Sequence, residues 1–354
     1  MAAPLDLSAD VVDVTAALID IPSESHHETA IADAIEGALL PCEHLTVHRS
    51  GNALIAQTRD AEPTIVIAGH LDTVPAAGNL PHRIEGGLLY GLGACDMKGG
   101  LAIALTLAHN ITAPSHGVRF IFYDGEEVAA VHNGLARLAQ EIPNVVKADL
   151  AIVMEPSNGV IEGGCQGTIR VEVRVEGERA HSARAWQGTN AIHGAAQILT
   201  RLDHYQSREP MVDGLRYREG LNAVGISGGV AGNVIPDECV VTVNYRFAPD
   251  RSVPEAIDHV HEIFAGFDVT VVDEAPGARP GLLDPTVASF VEAMGGQVEP
   301  KFGWTDVARF ASVGTPAVNF GPGNPSIAHT VDESVSVSQI REMQQAMTKW
   351  LATA

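Results

Sequence analysis

Thr64-Ile65-Val66-Ile67-Ala68-Gly69-His70-Leu71-Asp72-Thr73-Val74-Pro75 is the stretch on which the fold turns. Its first five residues form a β-branched apolar run, which predicts a strand. The run delivers directly into Gly69-His70, so a chemically active side chain stands where the strand gives out. Downstream the pattern returns. Val118 to Tyr123 predicts a strand ending at Glu126-Glu127, and Leu150 to Met154 one ending at Glu155. Between and before them, Val11 to Ile19, Ile31 to Leu40 and Gly99 to Asn110 have the spacing of helices. Ala53 to Gln57 and Leu88 to Tyr90 predict further short strands. Strands alternating with helices indicate an α/β fold with a largely parallel sheet. In open sheets of this kind, sites gather beyond the carboxyl ends of the strands.

After Glu155 the pattern changes. Thr168 to Val175 alternates strictly, as a strand with one solvated face does. A helix over Asn190 to Leu202, strands at Leu221 to Gly225 and Val240 to Phe247, a helix over Val253 to Phe264 and a strand at Val269 to Val272 follow. This βαββαβ order is the ferredoxin-like split βαβ motif, placed as an insertion. Gly277-Ala278-Arg279-Pro280-Gly281 reads as the return linker. At 354 residues the chain is long for one core. The expected domains are residues 1–166, an inserted domain 167–278, and 279–354, which returns to the first.

The chain carries 44 acidic against 22 basic residues, a net charge of −22. That argues against nucleic acid, whose binding rests on basic surface, and offers no polybasic patch to a membrane. No apolar run approaches the roughly 20 residues of a membrane span. Met1-Ala2-Ala3-Pro4-Leu5-Asp6 lacks the basic start and apolar stretch of a secretory signal. Cys42, Cys95, Cys165 and Cys239 form no C-x-x-C pair and read as free thiols in a reducing cytoplasm.

Five motifs carry the chemistry: Gly69-His70-Leu71-Asp72, Gly91-Leu92-Gly93-Ala94-Cys95-Asp96, Asp124-Gly125-Glu126-Glu127, Met154-Glu155-Pro156, and Gly321-Pro322-Gly323 followed by Ala328-His329-Thr330. Nitrogen and oxygen donors of this mix, without thiolates, suit two hydrolytic divalent ions. The implied reaction is attack of an activated water on an amide or ester. On an extended backbone His70 and Asp72 point to one side, and a ligating histidine donates its second N–H to such a carboxylate. Asp96 lies in a glycine-flanked turn before a helix. It replaces the third glycine of a dinucleotide loop and would repel pyrophosphate, so a bridging ligand suits it better. Of Glu126 and Glu127, one can bind metal while the other accepts a proton.

Through these motifs the chain resembles the aminoacylase, acetylornithine deacetylase and succinyl-diaminopimelate desuccinylase family of zinc hydrolases, over nearly its whole length. Within it, the desuccinylases of actinobacterial type are the most similar. The resemblance implies that His70 and Glu155 hold one metal, that Glu127 and His329 hold the other, and that Asp96 bridges them. Glu126 would be the general base, Asp72 would orient His70, and the Asp96–Met97 peptide would be cis. Two positions depart from the family pattern: Leu92 where arginine is common, and Gly125 where aspartate is common.

The inserted domain would be a lid and a dimerisation element, making a homodimer. Ala180-His181-Ser182 resembles the segment whose histidine polarises the scissile carbonyl, often from the partner subunit. The other reading of His181 is an exposed strand-end side chain. Asn233 and Arg246 match positions that contact substrate carboxylate, for which a planar guanidinium is apt. Arg246 could instead form a structural ion pair. Thr305, in Gly303-Trp304-Thr305-Asp306, lies in a segment resembling a substrate-lining loop, with one extra residue of spacing after Asp306.

The implied cofactors are two zinc ions, with cobalt or manganese also suited to the donor set. The implied substrate is a small molecule, N-succinyl-L,L-2,6-diaminopimelate. A deacetylase, aminoacylase or dipeptidase would keep the same ligands. A non-catalytic binding relative would need a broken ligand set, whereas every ligand and Glu126 are present.

Overall fold

The computed structural model describes residues 5–58 and 64–352. The first four residues, read above for a signal, lie outside the described residues. The chain divides into two compact units. One comprises Met1–Gly163, Pro280–Glu299 and Asp306–Ala354; the other comprises Gly164–Arg279 and Pro300–Thr305.

The first unit is built on an eight-stranded sheet in the order Thr46–Ser50, Ala53–Gln57, Gly117–Tyr123, Thr64–His70, Leu150–Val153, Ala317–Asn319, Ile161–Gly163, Val298–Pro300. Its centre is parallel: Thr64–His70 pairs with Gly117–Tyr123 on one side and Leu150–Val153 on the other, and Ala317–Asn319 continues the run. The helix Gly99–Asn110 is buried from Gly99 through Ala108, packed with the helices Val11–Ile19 and Val337–Ala352. Central strands and this helix therefore read as near-continuous apolar runs, as a sheet covered on its faces requires.

The helices Val11–Ile19 and Gly99–Asn110 and the strands Ala53–Gln57 and Leu88–Tyr90 fall where the sequence pattern predicts them. The strand Thr64–His70 runs two residues beyond its predicted end, which makes His70 its last residue, in register with Tyr123. Several elements were not anticipated. Thr46–Ser50 is half polar and lies at the sheet edge, and Ala317–Asn319 spans three residues inside the sheet. The helix Val337–Ala352 buries Ile340, Met343, Met347, Trp350 and Leu351. Among the described residues no helix is long and apolar enough to cross a membrane. All four cysteines are free and buried.

The second unit carries a four-stranded antiparallel sheet in the order Gly220–Gly228, Glu238–Phe247, Gly167–Glu176, Asp268–Ala275. With the helices Ala191–Asp203 and Val253–Ile263 this is the ferredoxin-like βαββαβ arrangement. Ile169, Val171, Val173 and Val175 alternate into its core, where they join Ala195, Ile198, Ala256 and Val260 from the helices.

Candidate metal centre

Each of the four parallel strands of the first unit ends at a motif. His70 closes its strand, Glu126-Glu127 follow Gly117–Tyr123, Glu155 follows Leu150–Val153, and Gly321-Pro322-Gly323 follows Ala317–Asn319. Local backbone requirements explain the residues between. Gly125 has φ +70°, and a Cβ there would lie 2.5 Å from the His132 carbonyl oxygen. An aspartate at that position is therefore incompatible with this backbone. Asp124, one residue earlier, instead pairs with Arg137 at 2.7 Å. Gly321 passes so close to the Met154–Glu155 backbone that a Cβ would meet the Met154 oxygen at 2.3 Å. The turn bearing Asp96 has non-helical dihedrals at Asp96 and Met97, and the peptide between them is cis.

The turn and strand ends bring His70, Asp96 and Glu127 together, with one ligand atom of each within 4.8 Å of the others. His70 Nδ1 lies 3.0 Å from the Asp72 main-chain oxygen and 3.5 Å from its carboxylate. Its ring proton on that side therefore goes chiefly to the backbone carbonyl. This leaves Nε2 with a lone pair, and Nε2 faces Asp96 Oδ1 at 3.1 Å. His329 Nε2 lies 3.4 Å from Asp96 Oδ2 and 2.9 Å from Glu127 Oε1. Asp96 thus presents one oxygen to each histidine. A lone pair facing a carboxylate is favourable only if a cation sits between them. Without metal that cation is a proton: Asp96 and Glu127 raise the His329 pKa to about 10. For His70, burial is outweighed by Asp72 and Asp96, and its pKa also rises well above the ordinary value. These donors fit divalent ions on chemical grounds, being imidazole and carboxylate only. Glu155 is buried and acts electrostatically on both His70 and Glu126. Cys95 is no competitor, since burial, Glu333 and Asp96 raise its pKa and keep it a thiol.

Asp72 also fixes the glutamate pair. Its Oδ1 accepts the N–H of Glu126 and its Oδ2 the N–H of Glu127, each at 3.0 Å. Burial alone would raise the Asp72 pKa, but His70, the Glu126 N–H and Ser25 lower it to about 2. Glu126 is the opposite case. Burial, then the charges of Glu155, Asp306 and Glu127, push its pKa well above the ordinary value against the opposing pull of His70. Two carboxylates with divergent environments mark a fixed anion and a proton acceptor.

Three participants escaped the sequence reading. Ser25 donates its hydroxyl to Asp72 Oδ2 at 2.8 Å. Asp306 is fully buried, held by Asn133 and by Arg309 at 2.5 Å, and contributes to the Glu126 shift. Glu333 accepts backbone N–H bonds from the Asp96 turn. Serine and acid residues in polar loops give no local signal of such contacts.

The remaining candidates belong to the second unit. His181 is exposed, and its Nδ1 accepts the Ala183 N–H at 3.0 Å. In the neutral ring the proton is then on Nε2, which is free to donate. Asn233 is exposed, and its main-chain oxygen accepts the Ser182 N–H at 2.9 Å. Arg246 is partly buried, and burial and Arg170 lower its pKa. Among the described residues it makes no ion pair, while Arg170 takes Asp273 at 3.5 Å. Thr305 is buried, and its main-chain oxygen lies 3.8 Å from the Cys165 sulfur.

Comparison with known proteins identifies the family of the chain. Residues 66–353 match the model of peptidase family M20/M25/M40. A Mycobacterium tuberculosis protein provisionally named succinyl-diaminopimelate desuccinylase is 52% identical, with 98% of this chain and 99% of the relative covered. The succinyl-diaminopimelate desuccinylase of Corynebacterium glutamicum is 45% identical, with 98% of each covered. Among solved structures, a Staphylococcus aureus tripeptidase superposes with a TM-score of 0.81 at 20% identity, with 99% of each chain covered. A dinuclear metal-binding peptidase of Bacillus subtilis gives 0.72 at 19%, with 97% of this chain and 96% of the other covered. The chain belongs to peptidase family M20/M25/M40 and is a metal-dependent hydrolase.

Proposed function

We propose that the protein removes succinate from N-succinyl-L,L-2,6-diaminopimelate, giving L,L-2,6-diaminopimelate, with two divalent ions, zinc foremost, held by His70, Asp96, Glu127, Glu155 and His329. The observation that carries this reading is the division of the Asp96 oxygens between His70 at 3.1 Å and His329 at 3.4 Å, as a bridging ligand requires. His70 and Glu155 would hold one ion, Glu127 and His329 the other. Bound there, the ions supply a water acidified toward pKa ~7 and polarise the amide carbonyl.

The residues do the rest. Asp72 locks the His70 tautomer and the Glu126-Glu127 backbone. Glu126 takes a proton from the attacking water as the carbon–oxygen bond forms. It returns that proton to the amine nitrogen as the carbon–nitrogen bond breaks. His181, with its proton on Nε2, is suited to donate to the developing oxyanion. Arg246, a partly buried cation with no carboxylate partner among the described residues, is suited to a substrate carboxylate, with Asn233 and Thr305 assisting.

The names of the relatives support the succinylated substrate. We further propose a cytoplasmic homodimer. The strand Gly220–Gly228 lies at a sheet edge with Val224 and Ile226 exposed, which supports pairing with a second copy.

The test is the initial hydrolysis rate of metal-loaded protein on N-succinyl-L,L-diaminopimelate, N-acetylornithine and a dipeptide, with and without chelator. Chelator-sensitive preference for the succinylated substrate is expected. Preference for another amide would leave the metal centre standing and overturn the substrate.

A further inference from the structure

Glu333 is buried, stands four residues after His329, and has no part in the chemistry above. Its Oε2 accepts the N–H of Gly93, and its Oε1 accepts the N–H groups of Cys95 and Asp96, all at 3.0 Å. Its main-chain oxygen takes the Gly91 N–H at 3.2 Å. Buried N–H groups must find acceptors. The chain around Asp96 and Met97 departs from helical dihedrals, so no regular ladder provides them. An ionised carboxylate can accept several such bonds at once, each stronger than a neutral one. Lys98, buried at the end of the same turn, donates to the Ile21 oxygen at 2.8 Å and anchors the turn's other end.

We propose that Glu333 is a positioning residue for the metal-bridging carboxylate: it holds the Gly93–Asp96 backbone so that the two Asp96 oxygens stay divided between His70 and His329. The inference rests on the reading of Asp96 as a bridging ligand. One short segment then governs the centre twice. His329 supplies a ligand, and Glu333, whose own N–H bonds to the Thr330 oxygen at 3.3 Å, fixes the shared one.

Glu333→Gln keeps the shape but sets an amide NH₂ against a backbone N–H. In the purified full chain, metal affinity by chelator competition should weaken about 10- to 100-fold, the usual cost of removing an outer support of a ligand. The absorption spectrum of the cobalt-loaded variant should shift. Turnover should fall while KM stays near the wild-type value, because no substrate contact is lost. Thermal unfolding of the metal-free variant establishes that it is folded. A folded Glu333→Gln with wild-type metal affinity and cobalt spectrum overturns the proposal.

Should the variant not fold, hydrogen exchange of the wild-type, metal-free chain decides. Protection of the Gly93, Cys95 and Asp96 amides is expected, and rapid exchange overturns the clamp. Asp96→Asn separates the two layers. If it leaves metal affinity unchanged, the bridging reading fails, and this proposal with it, whatever the exchange shows of the clamp itself.

Discussion

Asp96 divides its carboxylate between two imidazoles that metal-free protein can satisfy only with protons. The His329 pKa is raised to about 10 and that of His70 well above 6.5. The His329 ring therefore holds an extra proton at about pH 8, where an ordinary histidine is neutral, and His70 is shifted in the same direction. Metal must displace those protons, since a ligating imidazole is neutral. Titration of metal into chelator-stripped protein near that pH should release protons. Calorimetry in buffers of different ionisation enthalpy measures this, and absence of release would contradict the electrostatics described.

Glu126 gives a second expectation. A base acts when deprotonated, and its pKa is raised, so kcat/KM should fall as pH drops through a value above the ordinary 4.5. Glu126→Gln should retain metal yet lose about 10²- to 10⁴-fold in turnover, the usual contribution of a general base. Wild-type turnover would remove Glu126 from the mechanism.

At the scale of elements, legibility followed position. His70, Glu126, Glu127 and Glu155 could be read because each closes or follows an apolar strand, and strand ends are where such sheets place chemistry. Glu333, Ser25 and Asp306 could not. Each makes its contact with a partner distant in sequence: Glu333 with Gly93, Ser25 with Asp72, Asp306 with Asn133. A polar loop residue has the same local appearance with or without such a partner. The three-residue strand Ala317–Asn319 was not read, although the equally short Leu88–Tyr90 was. The helix Val337–Ala352 was legible in principle, since Ile340, Met343, Met347, Trp350 and Leu351 recur at helical spacing. The His70–Asp72 pairing inferred from strand alternation survives in altered form, with the backbone oxygen nearer than the carboxylate.

Gly125 yields the prediction proper to this scale. Gly125→Ala places a Cβ against the His132 oxygen at a positive φ. It should cost about 1–3 kcal/mol of stability and displace Glu126 and Glu127, lowering both Tm and turnover. An unperturbed melting curve would contradict the tight turn.

For the whole molecule, the proposed dimer has a clear handle. Ile226 lies exposed in the edge strand Gly220–Gly228. A charge on an edge opposes pairing, so Ile226→Asp should shift sedimentation from dimer to monomer while the melting of each unit persists. A dimeric variant would place the interface elsewhere.

The central claim is the bridged metal pair. Anomalous diffraction from metal-loaded crystals tests it most directly. Two metal positions are expected, one ligated by His70 and Glu155 and the other by Glu127 and His329, with an Asp96 oxygen on each. A single position, or two that leave Asp96 unligated, would contradict the account.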